Sequence, residues 1–416
     1  MATGLQVEVS YRQVGKIALP IALAMMVPQL NLIINNIFLG HHSEQSLAVA
    51  AITGVYYLVF AGIGFGLNNG LQTLLSRRAG ENRPEEIGRL FTQGVLIGLV
   101  IAAAGILLTV FVTPYLLRSF LTPDQAETSI SFLRIRILGL PFLFVYQLRN
   151  ALLVSINQSR YLIAGTLAET LANIFFDYTL IFGNWGLPAL GFNGAAVASI
   201  IAEFTGMFVI FIVIKQKGIS NQYSLFSSFR FERNNARAIL RMSGPLIFQH
   251  GASILAWFFF YMLVARNASQ TGLAISTAMR TVFGFFGTCF WALAATTNSM
   301  VSNIIGQGKK DQVIELVTKI TWLSLGIAVI VFALLNLFPA AYLSLFRKDP
   351  IFIETGIPVL RVIASAMILL SAGTIWLNAV TGTGNSRATF IIEILTLAFY
   401  CIYIFWVLEM RKMGIL

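Results

Sequence analysis

Eleven apolar runs, each long enough to cross a hydrocarbon core, leave this chain no soluble fold. They cover residues 17–39, 47–75, 91–117, 132–156, 162–182, 195–214, 246–264, 274–301, 317–338, 357–380 and 388–408. A transmembrane helix needs about 20 apolar residues, whereas outer-membrane strands read as segments of about 10 alternating residues, a pattern missing here. Only 11% of the residues are charged and 57% are hydrophobic, against about a quarter charged in a soluble domain. The expected fold is an all-α polytopic membrane protein.

The net charge of +11 is no nucleic-acid signal, because the basic residues fall mostly in the turns between runs. Arg12, Lys16, Arg77, Arg78, Arg83, Arg89, Arg160, Lys215, Lys217, Arg230, Arg233, Arg237, Arg241, Lys309, Lys310, Lys319 and Arg387 share one side of the alternating topology. The poorer side holds Arg118, Arg134, Arg136, Arg266, Arg347, Lys348, Arg361, Arg411 and Lys412. The positive-inside rule then places the N-terminus in the cytoplasm, in a multi-pass protein of the inner (plasma) membrane. The first run is too long for a signal peptide and lacks a small-residue cleavage site, so it reads as the first span. Cys289 and Cys401 lie in apolar runs and imply neither a disulfide framework nor a metal site. No nucleic-acid partner and no cofactor are expected, and the chain should act as a monomer in the bilayer.

One run stands apart. Residues 162–182 carry Glu169, Asn173 and Asp177 four apart, which stacks them on one helix face. A carboxylate at mid-membrane depth costs about 2.5–3.5 kcal/mol on the lenient insertion scale. Two on one stripe point to a visiting cation. The plainer reading, an acid hydrogen-bonded to neighbouring helices, weighs more for Glu169 than for Asp177. A sodium ion wants hard oxygen ligands, and a proton needs only a carboxylate, so Asp177 suits either.

Other polar residues inside runs have structural readings. Arg149 and Arg280 read as buried cations paired with Glu203, Glu393 or backbone carbonyls. His250 reads as a hydrogen-bonded structural histidine that could titrate, and 257–261 (WFFFY) as an aromatic wall. Pro28 removes a hydrogen bond from the first helix, making a kink or hinge there.

The second half repeats the first. SRRAGENRPEEIGRL matches SNIIGQGKKDQVIEL with Gly80 and Gly306 offset by 226. LRIRILG matches LRVIASA, and INQSRYL matches TGNSRAT, both offset by 227. Leu19–Pro20 matches Gly244–Pro245 at 225. The matching turns fall on the same side, so the duplication is parallel, with a pseudo-twofold along the membrane normal. It divides the chain into a lobe at 1–217, a polar linker at 218–235 and a second lobe at 236–416, of six and five helices. Part of 231–242 reads equally as a basic amphipathic helix on the surface or as a solvated linker. The same offset leaves the sixth helix without a partner, which implies a truncated twelve-helix protein or a lobe of five.

Several motifs resemble the multidrug and toxic compound extrusion (MATE) family, near its DinF-like and NorM-like branches. They are ALPIAL and NNIFLG in helix 1, SRRAGENRPEEI, LRIRILGLPF, NIFFDYTLIFG, GFNGAAVASIIAE and GQGKKDQVIE. The resemblance implies two lobes around a central cavity, alternating access, and export of amphipathic, often cationic, small molecules against entry of Na⁺ or H⁺. It implies a cation site at Asn173, Asp177 and a helix 6 hydroxyl, Ser199. The helix 1 aspartate of that site is Asn35 here, and the NorM-like helix 7 glutamate is Ser253, with His250 a turn earlier. Secondary candidates are Glu169, Glu203, His250, Arg149, Arg280 and Glu393.

Rival readings are a lipid-linked oligosaccharide flippase of the same superfamily, an intramembrane hydrolase, and a non-transporting fragment. The flippase needs a cationic cavity, which two isolated arginines match poorly. The hydrolase needs an HExxH, a GxGD or a Ser–His pairing, none of which occurs.

Overall fold

In the computed structural model, residues 4–42, 44–227, 229–267 and 270–411 are described. Side chains at 30–37, 39–42, 44–48, 51, 265 and 270 lie outside that description. The apolar runs fall on eleven long helices. In the first half these are α1 (Tyr11–His42), α2 (Glu44–Gly80), α3 (Pro84–Phe120), α4 (Pro123–Ser155), α5 (Leu162–Phe182) and α6 (Phe192–Gln216). The second half contains α7 (Arg233–Asn267), α8 (Gln270–Gly306), α9 (Val313–Leu337), α10 (Pro350–Gly382) and α11 (Ser386–Met410). Among the described residues nine helices are long and apolar enough to cross a membrane. Diluted by Glu169, Asn173 and Asp177, α5 joins them with α1 in one all-α polytopic membrane fold. The backbone of α1 runs helically through both Pro20 and Pro28.

The duplication is visible in the packing. Contacts of α1 with α5, α2 with α4 and α3 with α4 recur as α7 with α11, α8 with α10 and α9 with α10. Across the lobes, α2 packs on α7 as α8 packs on α1, while α2 and α8 meet each other on the axis. Hydrogen bonds repeat the symmetry. Gln72 Nε2 donates to the Ala295 carbonyl at 2.8 Å, and Asn298 Nδ2 donates to the Asn69 carbonyl at 3.3 Å. These are the same bond seen from each half. Thr73 Oγ1 donates to Asn298 Oδ1, Ser302 Oγ donates to the Thr73 carbonyl, and the Ser76 and Ser299 hydroxyls meet at 2.7 Å.

Close approach of α2 and α7 depends on missing side chains. Gly62, Gly66 and Gly70 recur every four residues and face His250, Ile247 and Ser243, the small-residue ridge that lets membrane helices touch backbones. A Cβ at Gly66 would lie 2.6 Å from the Ile247 backbone nitrogen. Gly66→Val therefore forces the helices apart and should cost about 1–3 kcal/mol, read as a lower unfolding midpoint in detergent. An unchanged midpoint contradicts the tight seam.

Among the described residues, the core cluster that both lobes share lies at one end. Leu71, Leu75, Leu152, Ile239, Met300, Val301, Ile304 and Leu316 belong to one continuous cluster at the end bearing the basic α2–α3 and α8–α9 turns. Toward the other end each lobe has its own clusters, around Phe144 and Ile181 in the first and around Phe290 and Leu263 in the second. Among the described residues the lobes share one core at the basic end and have separate clusters beyond it.

Two segments outside the helices take part in that joint. Residues 4–10 form a strap across both lobes, with Leu5 and Val7 buried and Gln6 and Glu8 facing out. Asn157 Nδ2 donates to the Gly4 carbonyl, Gln6 Nε2 to Gly80, and Asn303 Nδ2 to Leu5 at 2.8 Å. Gln307 Nε2 and Lys319 Nζ donate to the Val7 and Val9 carbonyls. The segment between α6 and α7 lies on α3 instead of floating in solvent. Gln93 Nε2 donates to the Arg230 carbonyl at 2.6 Å, Phe226 packs edge-on to Phe91, and Tyr223 and Leu225 are buried. The stretch 231–242, read by sequence as in part a surface helix or else a solvated linker, instead runs from Arg233 onward as the first turns of α7.

Candidate functional site

Two polar clusters lie inside the first lobe, built on α2, α4, α5 and α6. The helices α5 and α6 pack closely because glycines face backbone at both ends. Gly194 sits on Leu180 and Ile181, and Gly206 sits on the Gly165 carbonyl and the Glu169 Cβ. Asn173 and Asp177, one turn apart on α5, are 4% and 1% exposed. Both sit in the half of the lobe farther from the basic end. Ser199 is half-buried on α6, one turn before Glu203. Asn35 lies on α1, which packs along α5 through Phe38 against Tyr178 and Phe182, but its side chain is outside the described residues.

Beside this pair is an ion pair that sequence reasoning missed. Arg136, assigned by sequence to the poorer outer side, is a half-buried residue of α4 whose side chain is 11% exposed. Its Nη1 donates to Glu203 Oε2 at 3.0 Å and to the Tyr57 hydroxyl at 2.8 Å, while Nη2 bonds Glu203 Oε1. Tyr57 of α2 in turn donates to Glu203 at 3.1 Å, and its ring lies 3.7 Å under the guanidinium. Gly139 opens the space, since a Cβ there would fall 2.5 Å from Glu203 Oε2. Arg136 also acts electrostatically on Asp177.

The second cluster lies nearer the basic end. With Arg136 occupying the Glu203 carboxylate, Arg149, 3% exposed, takes a backbone carbonyl among the partners the sequence offered. Its Nε donates to the Tyr146 carbonyl at 2.9 Å and its guanidinium stacks 3.5 Å from the Tyr146 ring. Glu169, half-buried, interacts electrostatically with both residues, and the Tyr146 and Thr166 hydroxyls are 2.9 Å apart. Gly165 admits the guanidinium against α5.

In the second lobe the structure separates the candidates. Ser253 Oγ donates to Glu393 Oε1 at 3.3 Å, across α7 and α11. His250 faces the other lobe, its ring 6.2 Å from that of Phe65. Arg280, expected to be buried, is exposed on α8, its guanidinium 5.5 Å from the Tyr261 ring. An aromatic face satisfies the charge there without an acid or burial. Trp257 stacks on Tyr261 and meets Phe283, which meets Trp291, so the aromatic run joins α7 to α8. Pro28 is exposed on α1.

Duplicated lobes meeting on a pseudo-twofold axis, one holding buried acids inside a span, define a polytopic membrane protein with a charged interior. The MatE family model matches residues 20–179 and 245–406, one match in each lobe. The chain belongs to the MatE family. A relative from Synechocystis, described as probable multidrug resistance protein NorM, is 29% identical over 268 residues, covering 62% of this chain and 57% of that protein. The chain thus spans little more than half the length of that relative. The protein of the same description from Thermotoga maritima is 23% identical over 396 residues, covering 93% of this chain and 83% of its own. Among solved structures, a multidrug resistance MATE transporter in an outward-facing conformation has the same fold, with a TM-score of 0.88 at 18% identity over 97% of this chain and 90% of that one. A MOP superfamily transporter from Pyrococcus furiosus gives 0.89 at 17% identity, over 99% and 91%.

Proposed function

We propose that this protein exports amphipathic, often cationic, compounds across the inner membrane by alternating access, driven by entry of Na⁺ or H⁺. The N-terminus and basic end face the cytoplasm in this reading, as the positive-inside rule requires. The observation that carries it is Asp177, a carboxylate 1% exposed in the middle of an apolar lobe. Such a residue is retained at a cost unless a cation comes and goes. Family membership and the relatives' description as probable multidrug resistance proteins support the substrate class. Lobes joined at the basic end and divided beyond it suit a state open away from the cytoplasm. Asn173 and Ser199 would complete the ion site with oxygen ligands, and a single carboxylate there balances a single monovalent cation. A flippase cavity gains nothing from Arg136 and Arg149, both engaged within the first lobe.

Reconstituted in proteoliposomes, the protein should move a lipophilic cationic dye against an imposed Na⁺ or H⁺ gradient and stop when the gradient is collapsed. Unchanged dye distribution under both ions, across a broad panel and with the protein shown in the membrane, overturns the reading.

A further inference from the structure

At the basic end of the first lobe, the α4–α5 turn, the end of α6 and the short helix Ile219–Gln222 enclose a cavity of about 380 Å³. Gly4 and Leu5 of the strap form one wall. Its charged lining consists of Arg160 and Lys217, and no carboxylate is among the residues that line it. Both cations are exposed, so water and solutes reach them. Arg160 is held in place: its Nη2 donates to the Tyr161 hydroxyl at 2.9 Å, and its guanidinium lies 4.8 Å from that ring. Gln158 and Tyr223 add neutral polar groups. Burial pushes the Tyr223 hydroxyl up to about 12, so it stays protonated at neutral pH. Leu5, Ile156 and Ile219 supply an apolar side.

Two cations lining one concave site that no carboxylate lines, with neutral polar groups beside them, match a compact polyvalent anion. The site lies level with the start of α5 and the end of α6. In the orientation proposed above this is the cytoplasmic interface, where anionic headgroups and soluble phosphate compounds are both present. We propose that this cavity binds a phosphate group, carried by an anionic lipid or by a soluble molecule. This site is separate from the buried acids, and its test does not require transport.

Inorganic phosphate, titrated into the purified protein in detergent at constant ionic strength against chloride, should raise the unfolding midpoint saturably. In lipid nanodiscs, phosphatidylglycerol should raise it relative to phosphatidylcholine if a headgroup is the ligand. Arg160→Gln/Lys217→Gln should weaken the response by roughly tenfold or more, since each charge-assisted hydrogen bond contributes about as much as a tenfold change. Lys217→Gln alone should fall between. The charge-matched variant Lys309→Gln/Lys310→Gln, at the other lobe's turn, should respond as wild type. A response to phosphate in detergent identifies a site open to soluble anions, and a response to phosphatidylglycerol alone identifies a headgroup site; either supports the proposal. No response to either probe, or an equal response in the Arg160/Lys217 variant, overturns it.

Discussion

Asp177→Asn should yield a folded protein that binds drug but no longer couples ion entry to export. Asparagine keeps the size and hydrogen-bonding capacity of the side chain and removes both the charge and the titrating proton. Since α5 packs against α6 through glycines and apolar groups, the lobe should assemble as before. In the wild type, raising the coupling ion should shift drug affinity by about 5- to 150-fold, the usual span of a coupling free energy. In the variant that shift should vanish, and gradient-driven dye efflux should fall to the rate of empty vesicles. Reciprocity supplies a second check, because drug should then cease to alter ion affinity. If Asp177→Asn exports at the wild-type rate, the ion is carried elsewhere, and the Ser253–Glu393 contact in the second lobe is the next place to look.

Arg136→Gln should be the most destabilising single change in the first lobe. It leaves the buried Glu203 carboxylate and the half-buried Tyr57 hydroxyl without their cation. Breaking one side of a buried pair costs about 3–5 kcal/mol, much of it the uncompensated charge that remains. The double variant Arg136→Gln/Glu203→Gln removes that charge and should recover most of the loss. A double-mutant cycle by reversible denaturation measures the coupling. Independent, additive effects of the two substitutions would mean the pair does not hold α4 to α6. Arg136 acts on Asp177 as well as on Glu203, so the double variant should also change ion affinity at the α5 acid even where stability is regained.

The helices were legible because span length is dictated by the bilayer, and the duplication because two halves of one sequence can be aligned with each other. Asp177 and Asn173 were legible for a local reason: a spacing of four puts them on one face whatever surrounds the helix. Arg136 carried no such signal. Its partner is 67 residues away on another helix, and its position at the start of an apolar run looked like that of a turn residue. Arg280 erred the other way, since a run of apolar neighbours does not say which face of α8 turns outward. The strap was readable in part: Leu5-Gln6-Val7-Glu8 alternates apolar and polar, the pattern of a segment with one face covered. What covers it, both lobes at once, is a tertiary fact with no trace in those residues.

The on-axis contact of α2 with α8 bears on what it takes to separate the lobes. Gln72, Thr73, Ser76, Asn298, Ser299 and Ser302 join by hydroxyls and amides. When such a face is hydrated, each bond is exchanged for one to water, at a net of only about 0.5–1.5 kcal/mol. A seam of leucines would instead expose apolar area at roughly 25 cal/mol per Å² and would stay shut. Wettable groups at the axis, inside an otherwise apolar joint, lower the cost of parting α2 from α8 below that of a seam of leucines alone.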